Sequence, residues 1–131
     1  MKTAIRRTVL VVDDDENQRL LAAAALRDAG FEVHLAADGA SAVEAAARLR
    51  PDLVLMDVRM PGMDGFTACE QLLSNHGCRN TSVVMLSGDD RPETVVRARQ
   101  AGAVATVPKM WDWRDYVRTV RELLPPPMPA R

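Results

Sequence analysis

Two short apolar runs in this chain each end in acid. Val9-Leu10-Val11-Val12 leads into Asp13-Asp14-Asp15, and Leu53-Val54-Leu55-Met56 leads into Asp57. Runs of this length, rich in β-branched residues and bounded by polar ones, read as strands buried on both faces of a parallel sheet. Open α/β sheets place their ligands outside the carboxyl ends of such strands. Two more strand ends join the set. Val83-Val84-Met85-Leu86 delivers Ser87, and Val104-Ala105-Thr106-Val107 leads through Pro108 to Lys109. Carboxylates, a hydroxyl and an ammonium, all on strand ends, point to a site for a metal ion and a phosphoryl group.

Strand-like and helical patterns alternate five times, which predicts an α/β fold with crossover helices. Strands are expected at 8–12, 32–36, 53–56, 82–86 and 103–107. Helices are expected at 16–29, 40–49, 64–75, 92–100 and 112–124. The first helix carries Leu21, Ala22, Ala25, Leu26 and Ala29 on one stripe and stops at Gly30. The second is alanine-rich, with Asp38 or Ser41 as its cap and Pro51 closing it. The third turns Phe66, Cys69, Leu72 and Leu73 inward, and the fourth opens on Pro92 and ends at Gly102. From Pro125 the chain is proline-rich and cannot continue a helix. Residues 1–124 are therefore read as one domain, and 125–131 as an extended tail or the start of a linker.

At 131 residues the chain suffices for one hydrophobic core. A formal net charge of −1 argues against direct nucleic-acid binding by this domain. Of 17 basic residues only Lys2 and Lys109 are lysine, which singles out Lys109 as more than surface decoration. Cys69 and Cys78 lie nine residues apart with no CxxC and no clustered histidine. They are read as a buried small side chain and a loop thiol, not as a zinc or redox pair. The apolar run after the basic N-terminus is too short for a signal peptide or a membrane span, so the reading is a cytoplasmic protein with no membrane contact. An EF-hand reading of Asp13-x-Asp15-x-Asn17 fails, because Gln18 and Ala24 replace the required Gly and Glu.

These residues resemble the receiver domain of two-component response regulators. Val11-Val12-Asp13-Asp14-Asp15, the run from Met56-Asp57 to Asp64-Gly65, and Met85-Leu86-Ser87-Gly88 match its motifs in order and spacing, over about residues 8–124. The resemblance implies a flavodoxin-like, doubly wound, five-stranded parallel sheet of order 2-1-3-4-5 with five helices. It implies Asp57 as phospho-acceptor, attacking phosphorus to give an acyl phosphate. It assigns Mg²⁺ to the carboxylates of Asp14 and Asp57 and the Arg59 backbone carbonyl, with Asp13 acting through water. Crowding these carboxylates without a cation is expected to raise at least one pKa. Lys109 is expected to pair with the phosphoryl group or with Asp57, and Ser87 to donate to a phosphoryl oxygen. The implied partners are a histidine kinase or histidine phosphotransfer protein and an unspecified output domain or target. A homodimer through the surface of the fourth and fifth helices is a further option in this family. Such a domain is a signalling switch that catalyses its own modification, not a turnover enzyme.

The sequence departs from the family at three places. Met110 follows Lys109 where proline, often cis, is usual. A non-proline cis bond costs about 2.5–4 kcal/mol, so a trans bond is expected. Thr106 stands where the fifth strand usually carries Tyr or Phe as a rotamer switch. Arg59 and Asp89, each two residues beyond Asp57 and Ser87, are expected to pair across the site and restrict attacking water. Arg59→Ala is then expected to shorten the lifetime of the phosphorylated form, and an unchanged lifetime would refute the pairing. Of Trp111 and Trp113, one is read as core and the other as an exposed partner contact.

Two other function classes fit part of this pattern. A pseudo-receiver would bind partners without phosphorylation. A Mg²⁺-dependent phosphatase of the haloacid dehalogenase type wants Asp-x-Asp on its first strand, which Asp13-Asp14-Asp15 formally supplies. In that family the lysine precedes a later acidic pair, whereas Lys109 follows Asp89-Asp90.

Overall fold

The computed structural model describes residues 6–109 and 112–124. Five strands, β1 (Thr8–Val12), β2 (Glu32–Ala36), β3 (Leu53–Asp57), β4 (Ser82–Ser87) and β5 (Ala105–Pro108), alternate with five helices. These are α1 (Glu16–Asp28), α2 (Gly39–Leu49), α3 (Gly65–Leu73), α4 (Pro92–Ala101) and α5 (Trp113–Leu123). All strand pairs are parallel and the order is β2-β1-β3-β4-β5, as the resemblance implies.

Side chains alternate across a strand, so each buried strand feeds two cores. Val9 and Val11 of β1, with Leu53 and Leu55 of β3, pack against Ala22 and Leu26 of α1 and Tyr116 and Val120 of α5. Leu10, Val12, Val54 and Met56 face the other way, onto Ala42, Ala46, Cys69, Leu72 and Ala98. Strand β3 lies at the centre and is buried at all five positions. Register then lines up the site, with Val12 opposite Met56, Asp57 opposite Leu86 and Ser87 opposite Pro108.

Aspartates start four of the helices. Asp15, Asp38 and Asp64 accept from the backbone N–H three residues on, at 3.2, 2.7 and 2.8 Å, and Asp112 accepts from Arg114 N at 2.8 Å. Asp38, not Ser41, is thus the cap of α2. Capping bonds of this kind contribute about 1 kcal/mol each. Helix α4 has Pro in its first turn and no side-chain cap, and closes on Gly102 at φ 105°.

Three expectations are corrected. Leu21 is 52% exposed, because the inward face of α1 centres on Ala22, Ala23 and Leu26. At 3.6 residues per turn Leu21 stands about 140° round from Leu26. Strand β5 begins at Ala105 and not 103, because Ala103 N donates to Ala98 O and finishes the end of α4. Cys78 is not a loop thiol. It is buried in a 3₁₀ turn, His76–Cys78, that the pattern of the sequence did not announce. The Asn75 side chain caps that turn, and Cys78 Sγ donates to Ala46 O of α2 at 3.3 Å. Cys69 is buried as expected, and burial pushes its thiol up to about 11, away from thiolate chemistry. The Lys109–Met110 bond, Trp111 and the tail from Pro125 lie outside the described residues. Trp113 is half-buried against the α5 core.

The two leucines give a direct test of this packing. Leu55→Ala, in β3, is expected to cost about 2–5 kcal/mol, and Leu21→Ala to stay within about 0.5 kcal/mol. Urea denaturation of both variants checks the pair. Equal losses would mean that α1 is rotated from the orientation described.

Candidate functional site

Asp13 follows β1 directly, and its N–H still donates to Ala36 O of β2 at 3.2 Å, so the sheet ladder fixes its backbone. Its carboxylate accepts from Asp15 N at 2.9 Å, and its carbonyl accepts from Arg19 Nη1 at 2.7 Å. Asp57 closes β3. Its Oδ1 accepts from Arg59 N at 3.2 Å, and its Oδ2 accepts from Lys109 Nζ at 2.6 Å. Asp13 and Asp57 are each only 2% exposed, while Asp14 beside them is exposed. Lys109 Nζ also stands 3.8 Å from Asp13 Oδ2. One oxygen from each of Asp13, Asp14 and Asp57 lies within 4.8 Å of the others. The structure therefore brings together the three predicted carboxylates and the predicted ammonium.

Burial raises the pKa of Asp13, and the charges of Asp57 and Asp14 add to it against the Asp15 N–H and Lys109. For Lys109, partial burial works against the charged form. The hydrogen bond and charge of Asp57, with Asp13 and Asp14 behind it, outweigh that and hold the ammonium above its ordinary value. The expected pKa rise in the acidic cluster is thus present at Asp13.

Ser87 is buried at the end of β4, but its hydroxyl is engaged within its own loop. The Oγ donates to Asp89 O at 2.9 Å and accepts from Asp89 N at 3.1 Å. The Asp89 carboxylate organises the same loop. The Thr94 hydroxyl, then the Arg91 backbone N–H, hold its pKa below the usual range. Arg59 does approach Asp89, at 3.9 Å, but Arg91 is nearer at 3.3 Å. The Arg59 side chain is 81% exposed, so the expected pair is the looser of the two. Thr106 is half-buried on β5.

Two contributors to the site escaped the reading of the sequence. At Gly65 a Cβ would run into the Asp57 carbonyl oxygen and lie 2.8 Å from Met85 Cε. Its N–H donates to Val58 O at 2.8 Å, so α3 starts hard against the end of β3. The second is Tyr116, whose hydroxyl donates to Pro108 O next to Lys109. Neither residue type nor spacing signals such contacts.

A doubly wound parallel sheet with an acidic pocket and an ammonium on its carboxyl edge defines a flavodoxin-like α/β domain. Residues 9–121 match the response regulator receiver domain, and the chain belongs to that family of two-component systems. Receiver domains are in general signalling domains rather than turnover enzymes. The chain is 40% identical over 122 residues to the regulatory protein AtoC of Escherichia coli (strain K12), covering 93% of this chain but only 26% of that protein. Its fold is similar to that of the Vibrio cholerae chemotaxis protein CheY4, with a TM-score of 0.88, 31% identity, and coverage of 92% of this chain and 100% of that one. It is also similar to a Borrelia burgdorferi structure described as the CheX-CheY-BeF3-Mg+2 complex, with a TM-score of 0.83, 27% identity, and coverage of 91% and 90%.

The raised pKa of Asp13 fixes the sign of a stability effect. The neutral form is favoured on folding, so its contribution is complete below the ordinary carboxylate pKa and is lost as pH rises through the folded value. Without divalent cations, Asp13→Asn is therefore expected to be more stable than the parent near neutral pH. The gain should vanish as pH falls below about 4, where an aspartate is neutral even when unfolded. Denaturation in EDTA across that range checks it, and a gain independent of pH would contradict the assignment.

Proposed function

We propose that this domain accepts a phosphoryl group on Asp57 from the phosphohistidine of a histidine kinase or phosphotransfer protein. A carboxylate oxygen of Asp57 bonds to phosphorus as the phosphorus–nitrogen bond of the donor breaks. The imidazole nitrogen keeps the electron pair, and the product is an acyl phosphate. The observation that carries the reading is the Lys109 ammonium, 2.6 Å from Asp57 Oδ2 inside a buried acidic pocket.

The donor set suits a hard divalent cation, being oxygen-only and drawn from three carboxylates within 4.8 Å. Burial first, and then the charges of Asp57 and Asp14, raise the pKa of Asp13, a cost that a bound cation would relieve. Asp13, Asp14, Asp57 and the Arg59 carbonyl would hold Mg²⁺, with Asp13 acting through water. When bound, the ion supplies positive charge that lets an anionic donor approach an anionic acceptor. The Borrelia burgdorferi relative, whose description names BeF3 and Mg+2 together, supports this assignment.

Lys109 stabilises charge on the transferring group from its place beside Asp57. The Ser87 hydroxyl has one proton, now donated to Asp89 O. Turning it to a phosphoryl oxygen breaks that bond and loosens the loop that Asp89 organises. A hydrogen bond to a charged group contributes about 1.5–3 kcal/mol, enough to shift two nearby states. The output is then a changed β4–α4 loop, read by an output domain or a separate protein.

Intact mass after incubation with Mg²⁺ and acetyl phosphate tests the reading. A phosphoryl adduct is expected on the parent and none on Asp57→Asn. No adduct on a folded parent would favour the pseudo-receiver, and an adduct on the variant would move the acceptor elsewhere.

A further inference from the structure

The peptide group joining Pro108 to Lys109 is held from both sides. Its N–H, on Lys109, donates to Ser87 O at 2.8 Å. Its carbonyl, on Pro108, accepts from the Tyr116 hydroxyl. A peptide group is planar, so anchoring both polar ends fixes the direction in which the Lys109 Cα leaves the sheet. This matters because β5 ends at Pro108, and Lys109 lies one residue beyond the ladder. A lysine stem is long and rich in rotamers, so its tip is placed only as well as its root. From this root the Nζ reaches Asp57 Oδ2 at 2.6 Å.

Tyr116 is suited to hold that root. It is the only tyrosine of the chain and is 2% exposed on α5. Its ring sits in the core beneath β5, and the Trp113 ring lies against it with centroids 4.6 Å apart. Aromatic contacts of this kind are worth about 0.5–1.5 kcal/mol beyond area burial and restrict where the hydroxyl points.

We propose that Tyr116 is a positioning residue for phosphoryl transfer, acting through the Pro108 carbonyl to aim Lys109 at the Asp57 carboxylate. The proposal rests on the reading of Asp57 as acceptor, and the test separates the two. Tyr116→Phe keeps the ring and removes only the hydroxyl. Lys2 and Lys109 are the only lysines. Carbon-13 lysine labelling of the full chain therefore gives two side-chain sets, assigned with a Lys2→Arg variant. In Tyr116→Phe the Lys109 Cε resonance is expected to move toward that of a free, solvated lysine. The rate of phosphorylation by acetyl phosphate is expected to fall by about 10- to 100-fold, the scale of a misplaced catalytic group. Mg²⁺ affinity should stay at the parent value, because Asp13, Asp14 and Asp57 do not depend on this hydroxyl.

Parent values for both resonance and rate would overturn the proposal. So would a fallen rate with an unmoved Lys109 resonance, or a joint loss of rate and Mg²⁺ affinity. Trp113→Leu disturbs the same packing without touching the hydroxyl and is expected to leave the Lys109 resonance in place. An equal shift in that variant would reduce Tyr116 to a core residue. A moved Lys109 resonance with no phosphorylation of the parent would uphold the aiming of Lys109 and remove the acceptor reading instead.

Discussion

An ammonium held between two buried carboxylates is the interaction on which the rest of the site depends. Asp13 and Asp57 face each other because β1 and β3 are neighbours in register, and burial deprives both of water. Removing the ammonium from such a group leaves uncompensated buried charge, which costs about 3–5 kcal/mol in comparable cases. Lys109 supplies the compensation from a third strand, two places across the sheet. The sheet order is thus an electrostatic arrangement as well as a hydrophobic one. Burial, with the charges of Asp57 and Asp14 behind it, still raises the pKa of Asp13 in the presence of Lys109.

The carboxyl edge of the sheet was legible in the sequence because the change from apolar run to acid is local. Val12 to Asp13 and Met56 to Asp57 mark both the strand end and the functional group within two residues. The strand bounds of β1 and β2 follow from the same sharp transitions. What stayed hidden depends on segments far apart in the chain. Leu21 looks apolar and inward until the angle of α1 on the sheet is known. Cys78 looks like a loop residue until Asn75 turns it onto α2. The start of β5 depends on how α4 terminates. At the site, Ser87 was legible as a hydroxyl on a strand end, but not its engagement with both backbone groups of Asp89. Gly65 and Tyr116 were invisible for the same reason, since their contacts are with Asp57 and Pro108.

The departures of this chain from its family fall around Ser87 and Lys109. Thr106 carries no ring that could swing, so β5 offers no aromatic lever to the Ser87 loop. The structure instead gathers polar contacts there. Asp89 ties Ser87 to Arg91 and Thr94 at the start of α4, with exposed Arg59 reaching in from the β3–α3 turn. On the other side, the aromatic pair Trp113 and Tyr116 sits one layer deeper, on α5, and meets the site through a backbone carbonyl. Helices α4 and α5 therefore connect to the site by different means, one through a hydroxyl network and the other through a peptide group.

Strand β3 also has a mechanical consequence. It is buried at every residue, bonded to β1 on one side and β4 on the other, and backed at Asp57 by Gly65 with no space for even one more carbon. Asp57 is mounted at the tip of this fully buried central strand. Added bulk and charge there cannot be absorbed by recoil of the mount. The displacement would fall on the turns around it, those carrying Asp14, Ser87 and Lys109. A rigid anvil under Asp57 would turn any group that bonds or binds there into motion of the surrounding turns.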